Sequence, residues 1–150
     1  MNIFQDELGH LSGLEQLQFL IANERHVPIG ETLGFTLVEI EKGRAVFEGT
    51  PGPRTFNPIG SVHGGYAATM LDSACGCATH SSLSAAQAYT TIELKVAYHR
   101  AMTGGTGKVR AEAKVVSIGK RVAFAEGRLT DAAGRLYASA TSTLLVFERK

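Results

Sequence analysis

Asp72 is the only formally charged residue between Arg54 and Glu93, and it lies within a run of apolar and small side chains. An ionised carboxylate in such surroundings is costly unless something uses it. Upstream stands Asn57-Pro58-Ile59-Gly60-Ser61-Val62-His63-Gly64-Gly65. Its His-Gly-Gly step reads as the start of a helix whose first amides have no intrahelical partner and can meet an anion or a polarised carbonyl. Amide donors at one end and a lone acid further along point to acyl chemistry. The donors stabilise the charge that develops on a carbonyl oxygen, and the acid activates water or attacks directly.

Each of these residues also has a plainer use. Asp72 can be a structural acid bonded to a neighbouring Thr or Ser, Asn57 an Asn-Pro turn initiator, and His63 a loop histidine satisfied by backbone groups. Other chemistries fit less well. Cys75, Cys77 and His80 invite a zinc reading, but two thiols two residues apart on a helix point about 200° from each other, which also rules out a disulfide between them. There is no Gly-x-Ser-x-Gly elbow. Gly104-Gly105-Thr106-Gly107 lacks the strand-to-helix context of a nucleotide loop and reads as a hairpin turn.

The elements that must position the acid follow from periodicity. Ser12 and Glu15 form a capping box ahead of Leu14, Leu17, Phe19, Leu20 and Ile21, which predicts a short N-terminal helix stopped by Pro28 and Gly30. Phe35 to Ile40 and Arg44 to Thr50 flank a tight turn and predict a hairpin. Pro51 to Pro58 reads as a loop. Gly64 to about Ser81 is small or apolar all round, the pattern of a helix buried on nearly every side. Ile92, Leu94, Val96 and Tyr98 then alternate with polar residues, and strands follow over Lys108 to Ser117, Arg121 to Thr130 and Arg135 to Phe147. Short turns demand antiparallel pairing. The expected fold is α+β, one curved antiparallel sheet wrapped around the central buried helix, in a single domain over 1–150 with a helical segment at 1–32.

A chain of 150 residues buries enough surface to need no disulfide or metal staple. Its 15 Lys and Arg nearly balance 14 Asp and Glu, with no basic block, so nucleic acid and anionic membranes are poor partners. No basic n-region precedes an apolar core at the start, and no apolar stretch is long enough for a span. A cytoplasmic location with reduced thiols is expected.

The run Asn57 to Gly65, the acid nine residues after His63, and the element order together resemble the hotdog-fold acyl-CoA thioesterases of the PaaI-like, phenylacetate-pathway group, over about Leu33 to Phe147. The resemblance implies that Gly64 or Gly65 gives a backbone N–H to the thioester oxygen, that Asp72 acts as base or nucleophile, and that Asn57 helps position the reacting groups. His63 matches a histidine that orients the loop or contacts the thioester. Ser73 stands where some relatives carry a threonine that orients the attacking water. Gly76 departs from close relatives, which use a hydroxyl residue further along this helix, and leaves the water-holding group open. Arg100, Lys120 and Arg121 lie at a strand end and in a turn, where a basic residue is most often a solvated surface charge, but the resemblance implies that basic residues in such places bind the nucleotide part of coenzyme A, whose phosphates need cations. Tyr66, Met70 and Phe56 are candidates to line the acyl pocket, and each serves equally well as core. Expected, then, is hydrolysis of an acyl- or aryl-acyl-CoA to free acid and CoA, without metal or redox cofactor. The alternatives are an enoyl-CoA hydratase or dehydratase pairing His63 with Asp72, and a non-catalytic acyl-CoA binding module.

Helical geometry adds a constraint. Gly65 and Asp72, seven residues apart, share nearly one helix face but lie about 10 Å apart along the axis, too far for one acyl carbon to touch both. Two central helices running antiparallel across a twofold axis would place the acid of one chain beside the glycines of the other. A homodimer with two composite sites is expected. The resemblance implies the same arrangement, often with dimers paired into tetramers.

Overall fold

Alternation of period two sends alanines to one face of the sheet, and that choice determines what the sheet can hold. The computed structural model describes residues 2–149. Its strands are β1 (Phe35–Glu41), β2 (Arg44–Gly49), β3 (Gln87–Tyr98), β4 (Val109–Ile118), β5 (Val122–Asp131) and β6 (Leu136–Glu148). They form one curved antiparallel sheet in the order β1-β2-β4-β5-β6-β3. Ala111, Ala113, Ala123, Ala125, Ala138 and Ala140 are all buried on its inner face. Small side chains there let a helix lie close against the strands without a void. That helix is α4 (Gly64–His80), which packs on every strand and places Met70, Leu71 and Ala74 in the core. The outer face of β1, β2 and β4 is wet, with Arg44 paired to Glu39 and Glu112, and Arg110 paired to Glu39 and Glu48.

Five of the six strands fall within one residue of the ranges read from the sequence; β3 is the exception and starts at Gln87 instead of Ile92. Its first residues do not alternate, yet they pair with Glu148 to Leu144 of β6. A register shift between Thr91 and Glu93 breaks the alternation, so Ile92 is 58% exposed. As the last strand in the order, β3 has no neighbour on its outer side.

Three helices precede the sheet instead of one: α1 (Ile3–Asp6), α2 (Gly13–Ala22) and α3 (Pro28–Leu33). Pro28 opens α3 at its first position, where its missing N–H costs nothing. The expected capping box is present at α2, Ser12 N–H donating to Glu15 Oε2 at 2.8 Å. The buried face of α2 is Gly13, Gln16, Leu17 and Leu20, whereas Leu14, Phe19 and Ile21 stay partly exposed. Burying a leucine there contributes about 2 kcal/mol. Gln16 joins this face because His80 meets it: His80 Nε2 lies 2.7 Å from Gln16 Oε1, and the Gln16 amide donates to the carbonyls of Phe4 and Leu8. A Cβ on Gly13 would collide with the His80 carbonyl oxygen, so only glycine lets α2 start against the end of α4.

Helix α4 departs from the expectation of burial on every side. Gly65, Ala68, Thr69, Asp72 and Ser73 form a partly exposed stripe at i, i+3, i+4, i+7 and i+8. Among the described residues no helix is long and apolar enough to cross a membrane.

Candidate active site

The loop before α4 is built by Asn57. Its Oδ1 accepts from the N–H groups of Ile59 (3.1 Å) and Ser61 (3.2 Å), and its Nδ2 donates to Ser61 Oγ (3.0 Å). His63 N–H donates to the Thr55 carbonyl at 2.8 Å and Val62 N–H to that of Met102 at 2.9 Å, tying the loop at its far end. Asn57 therefore acts on the geometry of Gly64 through the loop, as an Asx turn does.

His63 is the N-cap of α4, an unusual residue for that position. Its Nδ1 accepts from Gly65 N–H at 2.8 Å, while Tyr66 N–H donates to the His63 carbonyl at 3.0 Å. Gly64 N–H is left without a partner among the described residues. Tyr98, from the end of β3, donates from its hydroxyl to the Gly64 carbonyl at 2.7 Å. The peptide between the two glycines is thus held on both sides, and the helix presents one free amide.

Asp72 lies two turns along α4, about 12 Å from Gly64 along the axis. Thr91 Oγ1 of β3 donates to Asp72 Oδ1 at 3.0 Å. The other carboxylate oxygen, Oδ2, has no partner among the described residues. Asp72 and Ser73 border a cavity of about 240 Å³ whose further walls include Phe4, Leu17, Leu20, Leu37, Phe47, Cys77 and Tyr89. Tyr66 and Met70 are instead core residues, 3% and 0% exposed, and Phe56 packs against that core. The walls drawn from α1 and α2 were not read from the sequence, because their apolar residues there serve equally to dock the helices.

Arg100 lines a second cavity, with Gly64, Tyr98 and Met102, and its guanidinium lies 6.0 Å from the centre of the Tyr137 ring. Lys120 and Arg121 sit exposed in the turn between β4 and β5. Pairing of Val122 with Leu145, and of Leu145 with Thr90, puts that turn at the Asp72 end of the sheet. Within one chain, then, the structure groups Gly64 with Arg100 and Asp72 with Ser73, and separates the two groups along α4. Burial pushes the Cys75 and Cys77 thiols up to about 12, foremost by desolvation, so neither is a nucleophile near neutral pH.

Known proteins resemble this chain in sequence and in fold. The sequence model of the Thioesterase superfamily matches residues 59–138. The 1,4-dihydroxy-2-naphthoyl-CoA hydrolase of Listeria monocytogenes is 28% identical over 120 residues, covering 80% of this chain and 96% of the relative. A thioesterase family protein from Silicibacter pomeroyi superposes with a TM-score of 0.79 at 25% identity, over 92% of this chain and 100% of that one. A mutant of the phenylacetic acid degradation protein PaaI from Thermus thermophilus gives 0.73 at 25% identity, over 79% and 98%.

Proposed function

We propose, from the premise that this chain belongs to the thioesterase superfamily, that it hydrolyses an acyl- or aryl-acyl-CoA thioester to the free acid and CoA. The observation that carries this is the pairing of a free helix-terminal amide at Gly64 with a carboxylate at Asp72 that keeps one oxygen open. Gly64 N–H receives the thioester oxygen, where negative charge grows in the transition state. Asp72 takes a proton from water as the water oxygen bonds to the acyl carbon. When the tetrahedral intermediate collapses, the C–S bond breaks and the departing thiolate takes that proton back. Asn57 and His63 set the geometry of the donor, and Ser73 lies at the mouth of the acyl cavity.

The separation along α4 makes the site composite. The stripe Gly65, Ala68, Thr69, Asp72, small and uncovered in one chain, suits a second α4 running antiparallel across a twofold axis, with the open edge of β3 beside it. The same axis would join the Arg100 end of one copy to the Lys120 and Arg121 end of the other, placing cations from both at one coenzyme. Dimers of this kind pair further into a tetramer in this reading. Two free cysteines, Cys75 buried and Cys77 half-buried, fit a cytoplasmic enzyme.

The test is thiol release from a panel of acetyl-, hexanoyl-, palmitoyl- and phenylacetyl-CoA, with product analysis on crotonyl-CoA. Release of CoA by the wild type and its loss in Asp72→Ala is the expected result. Hydration of crotonyl-CoA without thiol release would favour the hydratase instead. Binding without any turnover would favour a sequestering module.

A further inference from the structure

Helix α4 and strand β3 run past each other in opposite directions, and besides the Tyr98–Gly64 bond two rungs connect them toward the other end of the helix. On the first, Thr91 Oγ1 bonds Asp72 Oδ1 at 3.0 Å. The second lies one turn further along α4 and two residues back along β3, where Gly76 faces Tyr89. A Cβ on Gly76 would stand 2.5 Å from the Tyr89 hydroxyl oxygen and 3.2 Å from two of its ring carbons, so the absence of a side chain at Gly76 is what admits the phenol. Tyr89 borders the same cavity as Asp72, its ring rests at 5.7 Å from that of His80, and its hydroxyl has no hydrogen-bond partner among the described residues. Asp72 and Tyr89 therefore border one cavity from adjacent rungs, each with a side-chain oxygen that has no partner among the described residues.

We propose that Tyr89 is a catalytic residue that holds the attacking water together with Asp72. The water donates one O–H to Asp72 Oδ2 and the other to Tyr89 Oη, which leaves a lone pair facing the acyl carbon. As the C–O bond forms the first proton passes to Asp72, and the second stays on the new oxygen until the acid product ionises. Tyr89 neither gains nor loses a proton in this step. Burial foremost, and the neighbouring Asp72 charge with it, raises the phenol further above its ordinary value, so it stays neutral throughout. This inference rests on the thioesterase reading and adds a second group, beside Asp72, that orients the nucleophile; Thr91 spends its one O–H on the carboxylate and so orients Asp72 itself.

Tyr89→Phe keeps the ring and removes only the oxygen. In the full-length protein, kcat for the acyl-CoA that the wild type turns over best should fall about tenfold, with KM within about twofold and the melting temperature unchanged. Gly76→Ser supplies the counter-test. In the wild-type background its side chain meets the phenol oxygen and lowers activity, whereas in Tyr89→Phe it fills the vacated space with a hydroxyl and raises kcat several-fold. Such a reversal of sign is not produced by a Tyr89 that only packs. Undiminished kcat in Tyr89→Phe, or a Gly76→Ser change equally harmful in both backgrounds, overturns the role of Tyr89 and leaves the thioesterase reading standing. A folded wild type that releases no thiol from any acyl-CoA overturns both.

Discussion

Two adjacent glycines that look interchangeable in the sequence are told apart by one imidazole. His63 Nδ1 occupies the Gly65 amide and leaves that of Gly64 free, so the proposed mechanism assigns carbonyl binding to Gly64, and the histidine caps the helix. Replacing His63 with Ala should therefore cost about 1 kcal/mol of stability, read as a lower denaturation midpoint. The proposed chemistry turns on Asp72. Asp72→Ala should lower turnover about a thousandfold while circular dichroism and oligomeric state stay unchanged. A single turnover in ¹⁸O-labelled water distinguishes its two possible roles. Label in the product acid and none in the Asp72 carboxylate is expected of a base, and label in the protein would instead mean an acyl anhydride at Asp72.

At the level of elements, the helices ahead of the sheet serve the site by closing it. Helix α2 is latched to the end of α4 through Gln16 and His80, and Phe4 stacks on the His80 ring at 4.8 Å. Burial, with the nearby Arg149 charge, lowers the His80 pKa to about 4 from an ordinary 6.5, and its Nδ1 has no partner. Below pH 6.5 the unfolded chain takes up a proton that the native chain refuses, so stability is full above 6.5 and is lost as pH falls toward about 4. Urea midpoints at pH 7 and pH 5 should show this loss in the wild type and a smaller one in His80→Gln. The latch also carries Leu17 and Leu20 to the acyl cavity of about 240 Å³. A cavity of about 150 Å³ admits a benzene ring, so this one has room for a larger ring system or a medium alkyl chain. Leu20→Ala should shift the ratio of kcat/KM toward longer acyl-CoAs and Leu20→Phe toward shorter ones, opposite displacements that a general loss of stability would not produce.

The proposed composite site is tested at the scale of the whole molecule. If the donor comes from one chain and the acid from the other, two inactive variants should repair each other. Mixing Asp72→Ala with Gly64→Val yields heterodimers with one site spoiled twice and the other built from intact parts. With random reassortment and independent sites, activity should recover to about a quarter of the wild type. Inactivity in a mixture shown to contain heterodimers would place each site within one chain. Coenzyme binding makes a companion prediction: charge reversal at Arg100 or Arg121 should raise KM for acyl-CoA more than for an acyl thioester lacking the nucleotide, because contacts to the phosphates supply uniform binding. Equal effects on both substrates would remove these residues from the coenzyme site.

Much of this was legible without coordinates. Alternation and turn chemistry placed five strands to within a residue, since a half-buried strand must show its period, and the lone Asp72 stood out because isolated charge in an apolar run is costly. Gln87 to Thr91 of β3 were missed for the complementary reason: their pairing with β6 comes from hydrogen bonds to a strand more than fifty residues away, which leaves no local pattern. Nor could sequence choose between Gly64 and Gly65, because a rotamer of His63 makes that choice. Tyr89 and Gly76 are thirteen residues apart in the chain, and only Gly76 stands out there, as a departure from close relatives with nothing to link it to Tyr89. Their relation exists only once β3 lies across α4, where a missing Cβ on one becomes the space for a hydroxyl on the other. Periodicity records which face of an element meets the core, and it is silent on which side chains from separate elements share a cavity.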